Sequence, residues 1–413
     1  MSDDPENHVA GDLLLHNGKL ELNGSFDGMK DGVWGAVSAG LQSVRRDKTI
    51  LGITRNGGKR FTLEFFDEPS FTYTMSATGG YKADTYTLGG IFEGSHFIDT
   101  QELSFSDYYV ELPYLFEWVN DGIISIETVF LKDKPLAASS SNVKLEAPKE
   151  IQAFKSEDFQ LSFSIYRGGL QTSPPFRRVH VSQGCFLRVK PTRGMALAEA
   201  RSIIMHFQRL LGIAVGKNIE PIRFEVRSDD GDKIIVHLRN PSSADYKLMY
   251  IEQMNFIFSD IAQDSQRVFE KWYGDMEKHS DMFDLFSSIS SDAGKNTNNQ
   301  FKDIVSAIEG YVSVETGKLD ISPDKAIKTL NEYLQKENRP IPPGDYKKIR
   351  ITRNKLSHLT IKSEDEASVL HTEGKWVSAK RMIFLLEYAL LRNLGVDNKM
   401  LLGFYDKRKW HLN

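Results

Sequence analysis

The spacing of apolar residues differs between the first and last parts of this chain, and the difference limits the folds open to it. Before about residue 195, apolar and polar residues alternate in short runs such as 19–22 (Lys-Leu-Glu-Leu), separated by Gly, Asn, Asp and Pro clusters. A period of two is typical of half-buried strands. After Ser243 the apolar residues recur every three or four positions, which is typical of amphipathic helices. We therefore predict an α+β protein.

The boundary between the two parts is predicted near Asn240-Pro241. Residues 196–212 carry helical spacing, and the strand-like runs 222–226 and 233–238 flank an Asp-Asp-Gly-Asp turn, so they form a β-α-β extension. The sequence thus predicts a sandwich-like β-rich domain over residues 1–240. An all-α helical bundle is predicted over 241–413, beginning with one long helix at 245–276.

The composition argues against disulfide-rich, Cys-zinc and membrane-spanning proteins. The chain of 413 residues has one cysteine, Cys185, which excludes an intramolecular disulfide framework and a Cys-rich zinc site. Apolar runs stay well short of the ~20 residues of a membrane helix. The acidic, polar start differs from a secretory signal, so a cytoplasmic protein without a membrane partner is expected.

Charge is unevenly distributed along the chain. The formal net charge is −4, yet residues 343–413 hold 14 Lys/Arg against 8 Asp/Glu. A basic C-terminal part suits local contact with phosphate. A solvated surface of mixed charge fits the same numbers equally well.

The segment 353–358, Arg-Asn-Lys-Leu-Ser-His, is the strongest candidate for chemistry, and it lies in a predicted helix over 344–359. RNA carries its own nucleophile, the 2′-OH. His358 suits proton transfer near neutral pH, Arg353 can stabilise the phosphorane, and Asn354 can orient either group, without metal or cofactor. The spacing alone also occurs by chance on surface helices.

Asn354 and His358 are four residues apart and share a helix face. Arg353 and His358 are five apart, about 140° round a regular helix. Side-by-side placement within one helix is therefore not expected. Two such helices that meet across a dimer would gather both sets of side chains in one cleft.

Two further regions carry a family resemblance. Residues 300–311, Gln-Phe-Lys-Asp-Ile-Val-Ser-Ala-Ile-Glu-Gly-Tyr, resemble a helix of the ApeA-like HEPN family, and 353–358 resembles the Arg-X4–6-His signature of HEPN ribonucleases. The N-terminal part is similar to the domain that precedes HEPN in that family. The matching segments there are 9–13, 20–26, 89–92 and 115–118.

The resemblance implies a bacterial anti-phage endoribonuclease that acts by abortive infection. Its catalytic residues would be Arg353, Asn354 and His358, and cleavage would leave a 2′,3′-cyclic phosphate and a 5′-hydroxyl. It also implies a homodimer formed through the HEPN domain, RNA (tRNA among the candidates) as target, and a phage-encoded trigger sensed by the N-terminal domain. Glu309 matches an acidic position that orients the Arg, although a simple ion pair is an equal reading.

Two rival functions remain open. The helical part is alternatively a non-catalytic HEPN module that binds a nucleotide or a partner. The β domain by itself would fit a carbohydrate-binding protein with a helical dimerisation arm.

Weaker candidates lie elsewhere in the chain. The Arg177-Arg178 pair with Arg188 is a candidate phosphate patch, for which a solvated face is the plainer reading. His206 is more simply a packing residue than a metal ligand. The basic and aromatic segment 407–410 suits either RNA contact or a frayed terminus.

Overall fold

The structure, a computed structural model, describes residues 10–16, 19–25, 49–54, 58–65, 84–97, 103–131, 134–169, 171–173, 178–238, 246–290, 296–337, 339, 344–358 and 363–408. Strands fill the N-terminal part and helices the C-terminal part, which confirms the α+β class. Residues 71–75, whose sequence also predicts a short strand, lie outside the described residues.

The strands are β1 (Ala10–His16), β2 (Lys19–Ser25), β3 (Thr49–Ile53), β4 (Arg60–Phe65), β5 (Asp84–Glu93), β6 (Ser104–Phe105), β7 (Asp107–Glu111), β8 (Ile124–Leu131), β9 (Lys134–Leu145), β10 (Lys149–Lys155), β11 (Phe159–Arg167), β12 (Gln171–Ser173), β13 (Arg178–His180), β14 (Gln183–Pro191), β15 (Met195–Ala196), β16 (Arg223–Arg227) and β17 (Lys233–Leu238). The α-helices are α1 (Leu115–Val119), α2 (Leu197–Val215), α3 (Ser265–Lys278), α4 (Ser280–Ser290), α5 (Thr297–Thr316), α6 (Pro323–Lys336), α7 (Tyr346–His358), α8 (Thr372–Asn393) and α9 (Asn398–Arg408).

Eleven strands join in one antiparallel sheet. Nine follow the order β1-β2-β5-β17-β16-β7-β14-β11-β10, and β3 and β4 branch from β5. The predicted hairpin of β16 and β17 is confirmed, and Gly231 supplies a φ of +85° at its turn. This hairpin pairs with β7 on one side and β5 on the other. It thereby joins the strands into a continuous sheet, which is a more specific arrangement than the sandwich-like one expected.

The core of the β-rich part forms where helix α2 covers one face of the sheet. Trp118 of α1 is fully buried, with ring centroids 5.9 Å from Phe207 of α2 and 5.8 Å from Phe163 of β11. Edge-to-face aromatic contacts of this kind add to the burial of apolar area. The apolar face of α2 is therefore held against the sheet along most of its length.

The prediction of one long helix over 245–276 is wrong for the first half of that segment. Residues 246–264 contain only three short 3₁₀ turns, and regular helix begins at Ser265. Met254, Asn255, Phe256 and Phe258 are buried, and both Phe rings lie against Trp118 at 6.3 and 5.5 Å. The backbone is extended at Met254 (ψ 148°) and at Ile257 (ψ 168°), so packing against the sheet overrides helical propensity here.

Helices α4, α6, α7 and α8 pack around α5. The apolar stripe of α5 is buried. Helices α2 and α3 are linked to this bundle, since Arg267 donates to the carbonyls of Leu394 and Gly395 at the end of α8. Within the described part of the chain, no helix combines the length and apolar character needed to cross a membrane.

Candidate functional site

Helix α7 carries the predicted site, and two side chains fix it to the bundle. Ile349 and Thr352 have no exposed surface and face inward. The Thr352 hydroxyl donates to the carbonyl of Lys348 at 2.7 Å and accepts the Leu370 amide at 2.9 Å. This double use of one hydroxyl holds the segment before α8 against the middle of α7.

Arg353 extends from α7 toward α5. Its Nη2 donates to Oε2 of Glu309 at 3.0 Å, and the two side chains are only 26% and 17% exposed. Glu309 belongs to the helix that resembles the family pattern. The contact predicted for Glu309 is therefore present as a half-buried ion pair between two helices.

Two opposing effects act on the pKa of Glu309 in this pair. Burial raises the pKa of Glu309, while the charge of Arg353 and its hydrogen bond act in the opposite direction. The Nε of Arg353 is buried and has no hydrogen-bond partner among the described residues. The carboxylate thus holds one side of the guanidinium, while 26% of the Arg353 side chain remains exposed to a ligand.

Asn354 and His358 lie on the solvent side of α7. Asn354 is half-buried, and His358 is exposed in the last turn of the helix. Arg353 and His358 are separated by about 7.5 Å along the helix axis and about 140° around it, from helix geometry. The fold places all three residues on one short helix, with Arg353 held on the side of α5.

The weaker candidates take structural roles where they are described. Burial lowers the pKa of His206 to about 4, with Arg209 adding to the effect. Arg188 forms ion pairs with Asp107 and Glu150 at 2.7 and 2.8 Å. The Arg177 position lies outside the described residues.

The first two residues of the basic C-terminal segment 407–410 make contacts within the folded chain. Lys407 donates to the carbonyl of Met254 at 2.6 Å, and Arg408 forms an ion pair with the buried Glu387 at 2.9 Å. Residues 409 and 410 lie outside the described residues. The first two residues of the basic segment therefore dock helix α9 onto residues 246–264 and onto α8.

Two functional candidates near the site were missed by sequence reasoning. Thr352 reads as an ordinary helix residue, although its hydroxyl joins two segments. Lys375, at the start of α8, donates to the side-chain carbonyl of Asn298 at the start of α5. Lys375 and Asn298 are 77 residues apart, so no local pattern indicates their contact.

The comparisons with known proteins give one match, which covers the first part of the chain. No curated protein and no solved structure matches the chain. A family model described as ApeA N-terminal domain 1 matches residues 1–272, which extends past residue 240 through the aromatic residues that pack on Trp118. Since this match covers well over half of the 413 residues, the chain belongs to the ApeA-like family of anti-phage defence proteins.

Proposed function

We propose that the chain is a metal-independent HEPN endoribonuclease whose catalytic residues are Arg353, Asn354 and His358. The observation that carries the proposal is the half-buried Arg353–Glu309 pair. It fixes a guanidinium that is still partly exposed on the helix that ends in His358. Phosphoryl transfer from the 2′-OH of RNA requires a fixed cation and a side chain that can move protons, and an imidazole is such a side chain.

The reaction balances without any external reactant. The 2′-oxygen forms a bond to phosphorus and loses its proton to a base, while the bond from phosphorus to the 5′-oxygen breaks and that oxygen gains a proton. One His358 imidazole serves as base or as acid. Arg353 neutralises the charge that develops on the phosphorane oxygens, and Asn354 orients the groups by hydrogen bonding. The products are a 2′,3′-cyclic phosphate and a 5′-hydroxyl.

A second copy of the chain completes the site in this proposal. Arg353 and His358 diverge by about 140° on one helix, so one chain does not present both to the same phosphate without a bend. A two-fold axis beside α7 would supply a second His358, and hence both an acid and a base. The RNA target, with tRNA among the candidates, and a phage-encoded trigger complete the proposal.

The test is expression in bacteria of the wild-type chain and of His358→Ala, with and without phage challenge. We expect the wild type to arrest growth and to yield new RNA ends with 5′-hydroxyls, which sequencing of RNA ends would locate. His358→Ala should do neither, because the proton-transfer group is gone. The variant should keep its melting temperature, since His358 is exposed.

Two outcomes would overturn the assignment. Equal toxicity of the two proteins would point to the non-catalytic HEPN module, which binds a nucleotide or a partner without cutting RNA. Loss of cleavage by the purified wild type in EDTA would show that the chemistry depends on a metal ion.

A further inference from the structure

We propose that Lys302 and Lys375 extend the RNA site along helix α5 by binding phosphates on one side of the phosphate that Arg353 holds. The inference rests on the proposed function. It names the class of substrate, a single RNA strand laid along α5, and two binding residues that no sequence motif indicates.

The first observation is a common face on α5. At 100° per residue, positions 298, 302 and 309 fall within about 40° of arc. Asn298 contacts Lys375 of α8, and Glu309 contacts Arg353 of α7. Both neighbouring helices therefore bring a cation to the same face of α5.

Lys302 lies between these two contacts. It is one turn, about 6 Å, from the level of Asn298 and about 10 Å from the level of Glu309. The three cations thus mark a line of about 16 Å along α5.

The second observation concerns partners. Lys302 is half-buried, and its ammonium forms no hydrogen bond or ion pair with another described residue. Lys375 is also half-buried, and its described partner is a neutral amide rather than a carboxylate. Both charges are held close to the helix surface without a counter-ion, which favours an anionic ligand.

The charges along the line favour phosphate over a neutral ligand. Three cations lie along it, and Glu309 is the carboxylate on the same arc. The line therefore has a net charge of about +2, although the formal charge of the whole chain is −4. A row of cations on one helix face fits a backbone with one negative charge per nucleotide.

The experiment measures binding of a single-stranded oligoribonucleotide to the full chain in a His358→Ala background, which separates binding from cleavage. Affinity is recorded across a salt series for the background protein and for added Lys302→Gln or Lys375→Gln. Loss of one phosphate contact should reduce the slope of log K against log salt by about 0.7 and the affinity about fourfold near 0.15 M salt.

Matched variants separate charge from folding. Lys302→Arg keeps the charge and should restore the slope. Lys328→Gln removes an exposed lysine from the neighbouring helix α6 and should leave the slope at the background value.

Each outcome has one reading. Slopes that fall for both Gln variants and recover in Lys302→Arg support phosphate binding by Lys302 and Lys375. Strong RNA binding with the same slope in the Gln variants as in the background protein overturns phosphate binding by the two lysines and leaves the nuclease proposal standing. If the slopes fall but the wild-type protein, which retains His358, does not cut RNA, the phosphate contacts are supported and the nuclease proposal is overturned. Absence of RNA binding overturns both.

Discussion

At the scale of the residue, Glu309 and Arg353 are central to the candidate site. Exposed ion pairs contribute little to stability, whereas a half-buried pair limits where each side chain can lie. Burial disfavours the charged form of Glu309, and Arg353 opposes that effect. The pair is better suited to holding the guanidinium in place than to stabilising the fold.

Glu309→Gln tests this positioning role. The amide keeps the shape but removes the charge, so Arg353 loses its fixed direction and kcat for RNA should fall about 10–100-fold. The free energy of unfolding should change by less than about 1 kcal/mol. Steady-state kinetics and urea denaturation measure the two quantities, with Glu332→Gln on the exposed side of α6 as control. An unchanged kcat would reduce Glu309 to an ordinary ion-pair partner.

Thr352→Val tests the hydroxyl that links α7 to the segment before α8. Valine matches the shape but leaves the Leu370 amide without its acceptor, which should lower the free energy of unfolding by about 1–3 kcal/mol. Thr352→Ser keeps the acceptor and should recover most of that loss. Urea denaturation measures both variants, and equal stability of the Val and Ser forms would show that this hydrogen bond is dispensable.

At the scale of the element, α3 is attached to α2 by more than apolar contact. Phe207 and Phe269 stack with centroids 6.0 Å apart. The Trp272 indole donates to the carbonyl of His206 at 2.8 Å, and the Tyr273 hydroxyl donates to that of Ile203 at 3.1 Å. Both helices therefore belong to one layer on the sheet.

His206 should make this layer sensitive to acid. Its pKa is lowered to about 4 by burial, against about 6.5 in an unfolded chain. The unfolded state therefore binds more protons between pH 4 and 6.5, so the free energy of unfolding should fall as pH falls through that window. Because the ring is only partly buried, solvent screening keeps this contribution below the roughly 3 kcal/mol that the full shift would give.

His206→Gln provides the control for that pH dependence. Urea denaturation at pH 4.5 and pH 7 should show a smaller loss of stability for the variant than for the wild type. An equal loss in both proteins would mean that other groups account for the acid sensitivity.

At the scale of the whole molecule, one apolar core runs from the sheet into the helices. It includes Trp118 and Phe207 of the β-rich part together with Phe256, Phe269 and Trp272 from beyond residue 240. The predicted boundary at 240 stays untested. The aromatic contacts and the extent of the family match favour a unit that ends after α3.

Two fragments test where that unit ends. Residues 1–278 keep Phe256, Phe258 and Phe269 on the sheet, so they should give a cooperative thermal transition and near-ultraviolet dichroism. Residues 1–240 leave Trp118 uncovered and should bind a hydrophobic dye and aggregate. A folded, dye-free 1–240 fragment would place the boundary where the sequence predicts it.

The sequence by itself determined those features that depend on neighbours along the chain. Period-two and period-3.6 patterns predicted many of the strands, though not β9 or β10, as well as helices α5 to α8 and the α+β class. The Asp-Asp-Gly-Asp turn predicted the hairpin of β16 and β17. The segment 353–358 was identified because residue types and spacing within one helix are local properties.

Only the tertiary structure decided the contacts between distant segments. It fixed the partial burial of the Arg353–Glu309 pair, which the family resemblance had suggested. It also joined Lys375 to Asn298, and it replaced regular helix by irregular backbone where Phe256 and Phe258 meet Trp118. Each of these depends on which surfaces pack together, because burial outweighs the small local preferences of the backbone. The charge that surrounds the candidate catalytic residues is therefore set by the packing of α5, α7 and α8, and local sequence spacing does not encode it.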